Sequence, residues 1–218
     1  GSGTIGGEVD IQGGSSSSGT GGSIALTTGA STASSSGSLV LRTINSGNSG
    51  VSGHIELRTG VAAAGSSGEI KLSTGDSSSG RSGSVLLSGG TGDTHGGDVL
   101  VNGGDSTAKT GGAISIMSGK GIGKSSGLVS IRSENAGTNG VSGALVFRSG
   151  TTSSGASGSV SLITGAASGG QGGDILLSVG SSSSDNGGNI QISAGESTGS
   201  SSSGGSAELI GGSSTNGV

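Results

Sequence analysis

The feature that most constrains this chain is a register. Pairs of aliphatic residues, one position apart, recur about every 15 residues from end to end. They begin as Val9/Ile11, Ile24/Leu26, Leu39/Leu41, Ile55/Leu57, Ile70/Leu72, Val85/Leu87 and Val99/Val101. They continue as Ile114/Ile116, Val129/Ile131, Leu145/Phe147, Val160/Leu162, Ile175/Leu177, Ile190/Ile192 and Ala207/Leu209. That makes fourteen units, spaced 14 to 17 residues apart, with large apolar side chains at 27 of the 28 paired positions. A Gly stands two residues ahead of each pair, and the run after it ends in Thr, Ser or another small residue, often followed by Gly. Gly and Ser make up 54 and 52 of the 218 residues, a composition otherwise typical of flexible linkers. A linker has no reason to keep such a register, so the period argues for a repeat architecture.

A second period lies above the first. Residues 37–60 match 127–150, and 21–29 match 111–119, both at an offset of 90. Six units therefore form a super-repeat, and the chain is expected to be a single array over 1–218, with blocks at 37–126 and 127–216. The two ends stop in the same loop phase: Thr215 to Val218 resembles Thr138 to Val141. This predicts a segment of a longer array, or a protomer that joins others end to end.

Aliphatics at every second position share one face of an extended strand. The Ile, Val and Leu of the pairs suit a pleated surface. A helix is excluded, because Gly brackets every pair and no 3.6-residue period appears. The expected fold class is all-β: a β-solenoid of fourteen units of about 15 residues, whose rungs pair at about 4.8 Å. Two strands per turn are favoured, because one per turn would place Arg42 beside Arg58 and Arg132 beside Arg148. One or three per turn are the alternatives. The next alternate position holds Thr28, Thr43, Thr59, Thr74, Ser118, Ser133, Ser149 and Thr164, read as an inward row of small hydroxyls. Between the strands, Gly is expected to supply positive φ for tight turns.

Composition also limits function. Without Cys there is no disulfide framework, thiolate zinc site or iron–sulfur cluster. Nine scattered Lys and Arg and a single aromatic, Phe147, offer nucleic acid neither a basic patch nor a stacking platform. No apolar run is long enough for a membrane-spanning helix. No secretory leader opens the chain, so an export signal is expected outside this segment.

Motif by motif, the chemistry is thin. Residues 119–125 approach a phosphate-binding loop, but Ser118 stands where the first Gly is needed. Residues 89–93 approach a calcium-binding nonapeptide, with Asp93, His95 and Asp98 close in sequence. Polar turn residues account for both. His54 and His95 lie in no nucleophile motif, and Glu56 with Lys71 reads as a surface pair. No catalytic, cofactor-binding or metal-ligating residue is assigned, and no enzymatic activity is expected. The outward-facing Val40, Leu86, Leu100, Leu128, Val146 and Leu176 favour lateral association, since little charge guards them.

Units such as GGSIALTTGASTASSSG and GGDILLSVGSSSSDNGG resemble the Gly/Ser-rich repeats of large extracellular cell-wall and adhesive proteins of algae such as diatoms, and of bacterial adhesins. The resemblance spans nearly the whole chain and carries across no functional residue. It implies a secreted structural protein that self-associates into a filament, surface coat or adhesive fibre, located outside the cell or at its surface. Its partners would be further copies, with Ser/Thr loops open to glycan attachment and no Asn-x-Ser/Thr sequon. The row Thr28, Thr43, Thr59 and Thr74 is also similar to the Thr rows of antifreeze solenoids, which implies ice or surface binding as the alternative.

Overall fold

The computed structural model describes residues 6–214. Among them there is no helix and no β-strand. The expected all-β fold, a β-solenoid with one, two or three strands per turn, is therefore corrected: the apolar segments form no strand and no ladder with one another. Nor is any described residue buried. The accessible surface is 21562 Å² for a 19.8 kDa chain. A compact protein of that mass exposes roughly 8,600 Å², and its extended chain roughly 29,000 Å².

What survives of the repeat is a train of loops. The chain divides into two units, Gly1–Ala113 and Ile114–Val218. In the first, the backbone bends at 17–19, 32–34, 48–50, 63–65, 78–80, 93–94 and 107–109. In the second it bends at 122–124, 138–140, 153–155, 168–170, 183–185 and 199–201. Each bend falls between two successive aliphatic pairs, so the sequence period and the structural period coincide.

Several loops are closed at the neck by one backbone hydrogen bond. In the first unit Gly22 N–H donates to Gly14 C=O at 2.7 Å, and Gly37 to Gly29 at 3.0 Å. Gly97 donates to Gly90 at 2.9 Å and Gly112 to Gly104 at 2.8 Å. In the second, Gly127 donates to Gly119 and Gly205 to Gly195, both at 2.9 Å. The donor always lies two residues before an aliphatic pair, and the acceptor three residues after the preceding one. These are Ω-type loops, short excursions with their ends brought together.

The necks explain the glycine pattern better than turn geometry does. Only Gly65, Gly123 and Gly155 have positive φ among the described residues. The more general demand is close approach. A Cβ on Gly22 would lie 2.8 Å from Gly14 N, and one on Gly188 would lie 2.9 Å from Val179 Cγ1. At Gly22 the neck leaves no room for a side chain, whereas at Gly68, Gly83 and Gly173 a Cβ would make ordinary contact.

Where a neck closes, local closure competes with stacking of successive segments. Pairing successive segments would need the intervening residues to act as a return leg. Closing a loop of eight to eleven residues costs less chain entropy than ordering a whole coil, and Gly-rich segments lose most on ordering. Six of the thirteen linkers close locally, and none of the described aliphatic segments has a ladder partner.

Candidate functional site

The side chains that could do something are the aliphatic pairs, because solvent covers them. Across the segments from Ile24 to Ile192, first members are 46–59% exposed and second members 55–76%. The first member is the more sheltered because it follows the neck by two residues. The alternation read from the sequence is real but shallow: Val85, Leu86 and Leu87 are 57%, 84% and 69% exposed. Val40, Leu100, Leu128, Val146 and Leu176, expected on an outward face, are open to solvent. The paired positions, expected inside a core, are exposed as well.

The row of small residues lies at the necks. A Cβ built on Gly37 would come 3.3 Å from Thr28 Cβ, and one on Gly53 would come 3.3 Å from Thr43 Cγ2. Thr59 stands in the same relation to Gly68, and Thr74 to Gly83. Ser118, Ser133, Ser149 and Thr164 repeat it with Gly127, Gly143, Gly158 and Gly173. Where the row itself holds Gly, as at Gly13, Gly89 and Gly103, the two backbones meet directly. The hydroxyl row is thus a set of neck spacers, and no flat ladder of Thr is presented.

Loop serines satisfy backbone donors at one repeated position, eight residues ahead of the next aliphatic pair. Ser16 Oγ accepts from Gly19 N–H at 2.9 Å, and Ser31 Oγ from Ser34 N–H at 2.9 Å. Ser77 accepts from Gly80 at 3.0 Å, Ser106 from Lys109 at 2.9 Å, and Ser182 from Asp185 at 3.1 Å. Thr152 Oγ1 takes the same role toward Ser154 N–H at 3.2 Å. These are Ser/Thr turns. Sequence reading missed the position because Ser is so common here. Its signal was phase relative to the pairs.

Among the described residues charged groups form two local ion pairs, Arg58 Nε with Glu56 at 3.3 Å and Arg132 Nη2 with Glu134 at 3.1 Å. Both are largely solvated, so each contributes little. Glu56 therefore pairs along its own segment with Arg58 and not with Lys71. Shallow open clefts lie beside Arg42 (with Thr43, Ile44 and Asn45) and beside Arg148 (with Ser149, Gly150 and Thr151). Neither encloses a ligand-sized space.

The near-motifs sit in ordinary loops. Residues 119–127 close at the Gly119–Gly127 neck and open no helix. Asp93 and His95 fall in and beside the bend at 93–94. No group of three or more His, Cys, Asp or Glu able to hold a metal ion occurs among the described residues. No helix among them is long and apolar enough to cross a membrane. No family model, curated protein or solved structure matches the chain.

Proposed function

We propose that this chain is a structural repeat that works by self-association, building an extracellular filament, surface coat or adhesive fibre. The observation that carries the reading is the exposure of every described aliphatic pair in a constant register. A lone copy leaves these side chains in water. Covering each large one is favourable by about 1.5–3 kcal/mol. Charge is sparse, at 10% of residues, so little opposes close approach. Exposed apolar surface that joins into a patch marks an interaction surface. The Gly/Ser loops keep the spacing between apolar segments and stay solvated, open to glycans on Ser and Thr. No catalytic group is needed for this role.

Sedimentation velocity over a concentration series, with electron microscopy of the same samples, tests the proposal. Concentration-dependent growth into elongated particles is expected. A chain that stays monomeric at every concentration, alone and in its native material, overturns it.

A further inference from the structure

We infer that the partner is a second copy of this chain displaced by one 90-residue super-repeat, so that residues 21–88 of one copy lie along residues 111–178 of the next. The inference rests on the self-association proposed above and adds partner, polarity and register.

The two stretches have the same local structure. Each of the bends at 32–34, 48–50, 63–65 and 78–80 recurs 90 residues later, at 122–124, 138–140, 153–155 and 168–170. The neck Gly29–Gly37 recurs as Gly119–Gly127. Gly65 and Gly155 both have positive φ. Exposure matches as well: Ile24 and Ile114 are 51% and 52%, Leu57 and Phe147 66% and 67%.

Spacing selects the direction. The first members 24, 39, 55, 70 and 85 are separated by 15, 16, 15 and 15 residues, and so are 114, 129, 145, 160 and 175. A partner of the same direction meets all five segments in phase. A reversed partner meets the 16-residue gap in the wrong place. A one-residue slip turns an extended segment's other face toward its neighbour.

Charge selects the displacement. Residues 21–88 carry seven charged side chains and 111–178 carry six. Two copies aligned without displacement set every one of these beside its own kind. Displaced by 90, only two like pairs remain, Arg42 with Arg132 and Arg58 with Arg148. Glu56 then meets Val146, Lys71 meets Ser161, Asp76 meets Ala166 and Arg81 meets Gln171. Like charges side by side are destabilising, which counts against the undisplaced arrangement.

Ten large side chains on each copy enter this contact. With half of each covered, the apolar area removed from water is on the order of 1,000 Å², the size at which specific interfaces begin. The contact is head-to-tail. Residues 111–178 of one copy take the next copy, residues 21–88 take the previous one, and nothing closes the chain of copies. Growth is open-ended.

The test uses the full chain, which has no native Cys to confuse it. Variants S88C and S178C alter exposed serines 90 residues apart. Equal amounts are mixed, allowed to associate and oxidised, and disulfide dimers are separated by tag. Mixed S88C–S178C dimers are expected to exceed S88C–S88C dimers by about tenfold, since the displacement removes most like-charge contacts. A second pair, S73C with I163C, guards against one substitution disturbing its segment and is expected to give the same preference. Equal or dominant S88C–S88C and S73C–S73C dimers mean undisplaced copies and overturn the register while self-association stands. Association in sedimentation with no disulfide from either pair overturns it too. A native chain that never associates removes both this inference and the proposed function.

Discussion

Residues 21–88 and 111–178 have nearly the same backbone and different charges. Bends, the Gly29–Gly37 and Gly119–Gly127 necks and the exposure of the aliphatic pairs repeat at the offset of 90. Charged positions coincide only at Arg42/Arg132 and Arg58/Arg148. Gly and aliphatic spacing therefore determine the local conformation, and charge is free to vary on it. That freedom is what lets charge specify how copies meet.

The largest expected effect comes from breaking the apolar half of the comparison. Leu57→Asp places a carboxylate in a row whose neighbours Ile55 and Phe147 are apolar. Loss of one Leu from the contact and introduction of an unpaired charge there should raise the concentration needed for association by about 10- to 100-fold. Sedimentation velocity measures this directly. Ser66→Asp, in a loop between segments, is the matched control, and its association should change by less than about twofold because surface charge is weakly coupled. Equal effects from the two would mean that the aliphatic rows are not the contact.

Next in size is a change that makes the two stretches alike in charge. Ser161→Lys sets a lysine opposite Lys71 in the displaced arrangement, and Ser161→Glu sets a glutamate there. The first should weaken association about threefold at low salt and the second strengthen it by a similar factor. Both effects should fade near 1 M salt, where charges are screened within about 3 Å. An undisplaced pairing would leave both substitutions opposite themselves, and the lysine and glutamate variants would then weaken association alike.

How much of this was legible from the sequence depends on the range of the interaction. The period was legible: every described bend falls between two pairs already visible as Ile24/Leu26 or Val85/Leu87. The alternation was legible too, as the higher exposure of Leu86 than of Val85 or Leu87. What alternation cannot specify is the partner that covers the apolar face. Apolar residues at every second position say that one face is hydrophobic, not that the same chain will bury it. Loop glycines read as turn residues supplying positive φ, which holds at Gly65, Gly123 and Gly155, whereas the Gly before a pair permits close approach at Gly22 and Gly188. Both roles leave the same letter in the sequence. The row Thr28, Thr43, Thr59 and Thr74, expected to point inward, is exposed, and each Thr instead stands beside the Gly that follows it at a loop neck.

The necks allow a finer test of local closure. Gly22→Ala would bring a Cβ 2.8 Å from Gly14 N, too close for backbone to absorb without opening the neck. The amide of residue 22, which donates to Gly14 at 2.7 Å, should then exchange with solvent about three- to tenfold faster. Gly68→Ala is the comparison, since its Cβ would meet only Thr59 Cγ2 at an ordinary 3.5 Å. Amide exchange around residue 68 should stay within about twofold, because exposed substitutions without a steric conflict have small effects. Similar acceleration at both positions would mean that the neck at Gly14–Gly22 is no tighter than the rest.

The smallest expected effect lies at the loop serines. Ser16 and Ser106 occupy the same phase, and each accepts a backbone N–H three residues on at 2.9 Å. Ser16→Ala removes the acceptor and leaves the amide of Gly19 to water. In an exposed loop water replaces most of that bond, so exchange at Gly19 should rise by no more than about twofold. The Gly14–Gly22 neck lies three residues beyond Gly19 and is held by backbone alone, so exchange at Gly22 should not change. Association should not change either, because no aliphatic side chain moves. A fall in association on Ser16→Ala would show that the loops transmit their conformation to the rows. The division between self-satisfied loops and unpartnered segments would then be too sharp.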